Sequence, residues 1–207
     1  MKRIVGLIVI ALVVSACNSV SMPKDAMSDI GDVQVSFAGP MPERAVENDG
    51  TQGGAGLGAV GALVEELGKA APGKWVSRPM KVTNFVNEHK IDLPGMVVAE
   101  FKRQLALKPG FANRLKDSAP NKFNVRIVSY GVFKPAFSLN FKPVLNLQAD
   151  LTDASGRVVW RQADFVLAHG ESPEIPFNQL LSSPEEFTKE YDSAIRDVVG
   201  LVLAKLN

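Results

Sequence analysis

Cysteine, histidine and clustered basic charge are scarce in this chain of 207 residues. The sequence has one cysteine, Cys17, and two histidines, His89 and His169. A single cysteine excludes internal disulfides and thiolate-rich metal sites, and neither histidine stands in an HxxxH or HExxH spacing that would indicate zinc. With a formal net charge of +1 and no basic block, the chain lacks the electrostatic pattern of a nucleic-acid-binding protein. We expect no metal, no cofactor and no nucleic-acid partner.

A hydrophobic run long enough to span a bilayer is also missing from the N-terminus. Residues 4–14 are apolar and uncharged, but a membrane-spanning helix needs about 20 such residues. Lys2 and Arg3 precede the run, and the small residues Ser15 and Ala16 follow it. This order is typical of a cleaved export signal rather than of a permanent membrane span.

The end of this signal, Val14-Ser15-Ala16-Cys17, resembles the lipobox of Gram-negative bacterial lipoproteins. The resemblance implies that residues 1–16 are removed as a signal peptide and that Cys17 carries the acyl chains that hold the protein in a membrane. The next residue is Asn18 rather than the aspartate that favours inner-membrane retention, which implies the outer membrane, with the domain facing the periplasm. Residues 17–31 are small and polar and are predicted to be a flexible tether.

Alternating apolar and polar residues predict four strands. Residues 33–37 and 123–132 alternate, and residues 144–151 do so most clearly, followed by a turn and a returning strand at 157–167. Residues 82–86 are interpreted as a short strand, and residues 39–54, rich in proline, glycine and mixed charge, as an exposed loop.

Two amphipathic helices are predicted. One begins at Asp92-Leu93-Pro94 and runs to about Leu107. The other begins with Ser183 as N-cap, Pro184 in the first turn and Glu186 at the third position. Its apolar stripe must pack on another element; it comprises Phe187, Tyr191, Ala194, Ile195, Val198, Val202 and Leu206.

The order of these elements predicts an α+β fold, with an antiparallel or mixed sheet and amphipathic helices on one face. We assign residues 32–207 to a single periplasmic domain with a glycine-rich insertion at 39–74. The order loosely resembles small periplasmic α+β lipoprotein domains similar to the TolB N-terminal domain, as an analogy of architecture alone.

The insertion contains a segment with two functional interpretations. Residues 56–61 match GxGxxG, but no hydrophobic strand precedes them and no acidic residue ends a following strand, so a dinucleotide site is not supported. Gly54, Gly58 and Ala62 recur every four residues, a spacing that lets helices approach closely in membranes or oligomers. The alternative is a flexible insertion that leads into a short helix.

Phe133, Phe137 and Phe141 form a second candidate contact segment around two Phe-Lys-Pro units. Such a segment would be either an exposed aromatic loop for a partner or the edge of the core, and we favour the core. Trp75 and Trp160 are interpreted in the same way, as core or half-buried residues.

These observations favour a non-enzymatic, membrane-anchored envelope lipoprotein that contacts envelope proteins or assembles with itself. The alternative is an accessory lipoprotein that binds a small ligand or lipid in an apolar pocket between sheet and helices. An enzyme would need convergent polar residues, for example His89 or His169 beside a carboxylate; we predict no catalytic residue.

Overall fold

The computed structural model describes residues 19–22, 30–49, 76–166 and 174–206. The fold is α+β, as predicted: a mixed sheet of six strands carries helices on one face. The strands are β1 (Val33–Phe37), β2 (Val46–Asp49), β3 (Asn121–Lys134), β4 (Asn140–Thr152), β5 (Val158–Val166) and β6 (Ile175–Pro176). The helices are α1 (Arg78–Glu88), α2 (Leu93–Ala106), α3 (Phe177–Leu180) and α4 (Pro184–Ala204).

Two long antiparallel strands, β3 and β4, form the centre of the sheet. The strand order is β1-β3-β4-β5, and β2 pairs in parallel with the far end of β3 while β6 pairs with the start of β4. The predicted hairpin of β4 and β5 is confirmed, with Leu151 opposite Trp160. Its turn is closed by Asp153, whose carboxylate accepts from the backbone N–H groups of Ser155 and Arg157.

Helix α4 follows its predicted cap and covers the apolar face of the sheet. The Ser183 hydroxyl accepts a hydrogen bond from the Glu186 N–H at 3.2 Å, and Pro184 lies in the first turn. The predicted stripe is buried against β4, β5 and α2, including Phe187 and Tyr191, both fully buried. The helix begins and packs as the sequence indicates because cap and apolar period are both local signals.

The prediction of a strand at residues 82–86 is wrong, because these residues belong to α1. The Ser77 hydroxyl accepts from the Met80 N–H, and Pro79 lies in the first turn. Val82 and Val86 are buried one turn apart, which is helical spacing. The cap and the first-turn proline decide the structure here over the β-branched residues.

The prediction of a loop over residues 39–54 is wrong at Val46–Asp49, which form β2. The sequence VEND has no alternation, so tertiary pairing creates this strand: Val46 lies opposite Gly131 on β3. Just before it, the Ala45 N–H donates to the Thr83 hydroxyl of α1 at 2.9 Å. The strand is therefore held between β3 and α1.

The segment predicted to be a tether, residues 17–31, contacts the domain in both of its described parts, and Ile30 near its end is buried in the core. Val20 forms an antiparallel bridge with Arg161 on β5, with backbone hydrogen bonds of 3.0 and 2.9 Å. Met22 is 8% exposed and belongs to the hydrophobic core. The domain boundary at residue 32 stays a prediction, but Val20, three residues after Cys17, already contacts the sheet.

Candidate functional site

The end of the β3–β4 hairpin separates the three phenylalanines of the candidate contact segment. Phe133 and Phe141 lie in β3 and β4 and are 8% and 3% exposed, so the predicted core role is confirmed for both. The core prediction is wrong for Phe137, which falls in the turn between the strands and is fully exposed. Leu139 is 89% exposed beside it. The hairpin tip, residues 135–139, therefore presents two large apolar side chains to solvent.

The base of the tip is held firmly by aromatic and charged contacts. The Phe141 ring packs edge-on against Phe177 of α3 with centroids 5.4 Å apart, and the Arg78 guanidinium lies 4.9 Å from the Phe141 ring centroid. Arg78 also pairs with Glu47 of β2 at 2.9 Å. Elements β2, α1 and α3 thus fix the position from which the tip projects.

The tip itself has a defined turn. The Ser138 N–H donates to the Pro135 carbonyl at 3.1 Å, and the Asn140 N–H donates to the Ser138 hydroxyl at 3.0 Å. That hydroxyl donates to the Glu174 carboxylate at 2.9 Å. Phe137 adopts φ 62°, a left-handed conformation that costs a non-glycine residue about 1–2 kcal/mol. The turn thus holds a phenylalanine at a position that glycine would fill with less strain.

Replacing Phe137 with glycine is expected to leave the protein as stable as the wild type or stabilise it by about 1 kcal/mol, because the strain is relieved while no buried area is lost. Urea denaturation measures this free energy of unfolding. Phe141→Gly is the matched control and should lose about 3 kcal/mol or more, since its buried ring leaves a cavity. Equal losses in both variants would contradict the exposed position of Phe137.

The sheet face opposite the helices carries a polar row that crosses three strands. Arg126 of β3 donates to the Gln148 side-chain oxygen at 2.6 Å, and Gln148 donates to Asp150 at 3.0 Å. Arg161 of β5 then binds Asp150 through two hydrogen bonds of 2.7 and 3.0 Å. No helix in the described ranges covers this face, so the row is a fixed, partly exposed polar surface.

The Asp150 carboxyl group has a lowered pKa in this row. Burial raises its pKa, but hydrogen bonds from Arg161 and Gln148 and the charges of Arg161 and Arg126 outweigh that effect. A carboxylate whose pKa is lower in the folded than in the unfolded protein stabilises the fold at pH values above the unfolded-state pKa. This contribution is lost as the pH falls through the folded-state pKa.

Asp150→Asn is therefore expected to lower the free energy of unfolding by about 1 kcal/mol at pH 7, and the difference from wild type should vanish in acid. Denaturation curves of both proteins, recorded at pH 7 and at a pH below the usual pKa range of aspartate, measure this difference in the free energy of unfolding. Asp117→Asn is the control, because Asp117 is fully exposed and lies 4.0 Å from Lys102; it should change little at either pH. A difference for Asp150→Asn that persists in acid would contradict the ion pair.

The described histidine and acidic side chains, which an enzyme or a metal site would need, lie at helix ends and in ion pairs. His89 is exposed at the end of α1, with its ring 4.3 Å from that of Phe85. Glu186 accepts from Gln179 and Lys189, which lowers its pKa. Within the described ranges, no group of three or more His, Cys, Asp or Glu residues could hold a metal, and no helix is long and apolar enough to cross a bilayer. The Glu185 carboxyl lies near His89: hydrogen bonds from its own N–H and from Ser183, with a smaller effect of the His89 charge, lower its pKa.

The layer between sheet and helices is filled by packed rings where the chain is described. Phe123 contacts Phe101, Phe111 and Trp160 with centroid distances of 5.4, 5.5 and 5.9 Å. Phe187 stacks on Tyr191 at 4.3 Å. Trp160 is 1% exposed, as its predicted core role requires. This layer is where the alternative hypothesis, an accessory lipoprotein that binds a small ligand or lipid, places its apolar pocket. In the described residues the layer holds the packed rings named above.

Several predicted residues lie outside the described ranges. They are Cys17, the small-residue series Gly54, Gly58 and Ala62, and His169 and Trp75. Their assigned roles stay predictions. The Val20 bridge could not be predicted from the sequence, since a lone valine in a polar segment has no strand pattern. The polar row could have been anticipated, because Gln148 and Asp150 alternate with the apolar residues of β4.

Comparison with known proteins gives only distant structural likenesses. No protein-family model and no curated protein matches the chain. PelC from Paraburkholderia phytofirmans, solved as a dodecamer, is 13% identical, with a TM-score of 0.42 over 90% of this chain and 95% of that one. A DUF330 protein from Xanthomonas campestris is also 13% identical, with a TM-score of 0.38 over 89% and 91% of the two chains. The lipoprotein GNA1162 from Neisseria meningitidis is 13% identical, with a TM-score of 0.23 over 66% and 81%. This chain is thus distantly similar to three bacterial proteins, one of them a lipoprotein, and none of the likenesses is strong enough to assign its function.

Proposed function

We propose that this protein is a lipid-anchored lipoprotein of the bacterial outer membrane that faces the periplasm and acts by contact rather than by catalysis. Its partners would be envelope proteins or further copies of itself. The observation that carries the proposal is the run Val14-Ser15-Ala16-Cys17 at the end of an export-type signal, in a chain with no other cysteine.

The folded contacts nearest Cys17 fit an anchor at that residue. Val20 is bound to the edge of β5 and Met22 is in the core. Three residues of extended chain span about 10 Å at most. Acyl chains on Cys17 would therefore hold the domain at the membrane surface while Val20 stays bound to β5, and two or more chains are needed for stable anchoring.

The polar row of the sheet supports action by contact. Arg126, Gln148, Asp150 and Arg161 are fixed by mutual hydrogen bonds rather than left mobile. Preorganised side chains lose less entropy when a partner binds them. In this proposal the sheet face without a described helix is the surface for a protein partner, while the opposite face is used for the core.

Cys17→Ala tests the anchor. In cells grown with an acyl-chain probe, the wild-type protein should be labelled and should fractionate with the outer membrane. The variant should lose the label entirely and leave the membrane fraction, because no thiol remains to accept the lipid.

Ser19→Ala is the control for this experiment, since it changes a neighbouring exposed residue and should keep both label and membrane attachment. If Cys17→Ala is still labelled, the acyl group is carried elsewhere and the proposed function is wrong.

A further inference from the structure

We propose that the hairpin tip, residues 135–139, inserts Phe137 and Leu139 into the lipid surface as a second membrane contact beside the anchor at Cys17. The inference rests on the proposed function, because the acyl anchor supplies the bilayer. It adds a surface with a defined partner, the interfacial region of phospholipids.

The first argument is that the tip has the form of a built feature rather than a frayed loop. Ser138 bonds back to Pro135 and across to Glu174, and Phe137 holds a left-handed backbone conformation. Phe137 and Leu139 are exposed by about 103% and 89% of their reference areas. The fold therefore orders two apolar side chains that add nothing to its core.

The second argument is the area that the tip offers to a partner. A phenylalanine supplies about 150–250 Å², whereas a stable protein interface buries about 800 Å² on each partner. Phe137 and Leu139 alone are too small for a stable interface with a second copy. Insertion into lipid needs no complementary surface, and phenylalanine and leucine are among the side chains that surface-bound protein elements bury at the boundary of headgroups and acyl chains.

The third observation is the mixed charge at the base of the tip. Lys134 and Lys142 are in the Phe-Lys-Pro units, and the Glu174 carboxylate keeps its negative charge while it accepts from Ser138. Arg78 and Glu47 pair with each other. Lysine side chains can keep their ammonium groups among lipid headgroups while neighbouring apolar side chains enter the lipid, so these charges stay at the surface when the tip inserts.

The fourth argument is the direction in which the chain leaves Val20. Because Val20 pairs antiparallel with Arg161, Ser19 precedes it on the side of the bridge that leads towards Val166. Val166 lies opposite Leu145, in the half of β4 that leads back to the tip. Arg161 lies opposite Asp150, ten residues from Asn140, or about 33 Å along the strand. A bilayer that meets both Cys17 and the tip would therefore run obliquely along the edge formed by β5 and β6.

The experiment uses the full-length acylated chain with one added cysteine. Phe137→Cys introduces a thiol that acylated Cys17 does not compete with, and Leu107→Cys at the end of α2, 74% exposed, is the matched control. Each is labelled with an environment-sensitive fluorophore and reconstituted in vesicles of phosphatidylethanolamine and phosphatidylglycerol that contain a lipid with a quencher on its acyl chain. We expect the label at 137 to shift to the blue and to be quenched several-fold more strongly than the label at 107.

Equal quenching at 137 and 107 in vesicle-bound, acylated protein would overturn the tip contact and leave the anchor intact. Oxidative crosslinking of 137 to 137 in place of quenching would also overturn it, because the occupant would then be a second copy. The mass of the same sample reports acylation of Cys17, and its absence would contradict the proposed function. The comparison of positions 137 and 107 is made on samples whose mass shows that Cys17 is acylated, so the two results are read separately.

Discussion

Gly131→Ala is expected to destabilise the protein by about 3 kcal/mol, because the added methyl group overpacks a junction of three elements. An ideal Cβ at this position would overlap the Val46 carbonyl oxygen and would lie 2.6 and 2.7 Å from the Val46 nitrogen and carbonyl carbon, closer than side-chain carbons approach other atoms. These are backbone atoms of β2, so no side-chain rotation can relieve the clash.

Gly131 also connects the sheet to helix α4. Its carbonyl accepts a hydrogen bond from the buried Tyr191 hydroxyl at 2.7 Å, and burial raises the pKa of that hydroxyl. A shift of β3 that makes room for a methyl group would stretch this bond, and an unsatisfied buried polar group costs about 1–3 kcal/mol. The expected loss is therefore larger than for a typical glycine in a strand.

Urea denaturation of Gly131→Ala measures the effect, and Gly200→Ala is the matched control. A Cβ at Gly200 would lie 3.4 Å from the Gln104 side-chain oxygen, an ordinary contact, and alanine favours a helix over glycine by up to about 1 kcal/mol. We expect the control to be as stable as wild type or more so. If Gly131→Ala behaved like Gly200→Ala, the close approach of β2 to β3 would be contradicted.

Phe123→Ala is expected to destabilise the protein by about 4 kcal/mol, because a fully buried ring is removed and a cavity remains. Phe123 is fully buried and lies at the centre of the aromatic cluster of Phe101, Phe111 and Trp160. The cluster joins β3 to α2, to the segment after α2 and to β5, so collapse around the missing ring would have to move several elements at once.

Phe137→Ala is the control for this truncation, since it removes the same atoms from a fully exposed ring. Calorimetry should show a large fall in melting temperature for Phe123→Ala and almost none for Phe137→Ala. A small loss at Phe123 would mean that the layer between sheet and helices is not packed as described.

The elements that could be predicted from sequence are those with a local signal. Residues 144–151 alternate on the two faces of β4, and α4 has a cap, a first-turn proline and an apolar stripe, so each was identified from its own residues. Helix α1 carries the same signature as α4, a serine followed by a proline in the first turn, but Val82 and Val86 are β-branched and favour a strand in the sequence pattern.

Strand β2 had no such signal, because its pairing with β3 depends on the close approach at Gly131. Likewise, spacing alone cannot tell which phenylalanine of the contact segment leaves the core. The register of the β3–β4 hairpin decides it: Phe133 and Phe141 fall within the strands and Phe137 in the turn. Tertiary pairing therefore determined what the local pattern left open.

The same distinction applies to the candidate site. The residue types of the polar row are visible in the sequence, but its ion pair needs Asp150 to lie opposite Arg161 across the hairpin. The binding of Val20 to β5 is a contact between a short polar segment and a strand far along the chain. Neither could be derived without knowing how the strands align.

The central claim, a lipid anchor at Cys17, is tested most directly by the mass of the N-terminal tryptic peptide of the protein purified from membranes. The account predicts a peptide that begins at Cys17, ends at Lys24 and carries a diacylglyceryl group with or without a further acyl chain. A mature chain that retains residues before Cys17, or that begins at Cys17 with a free thiol, would contradict it.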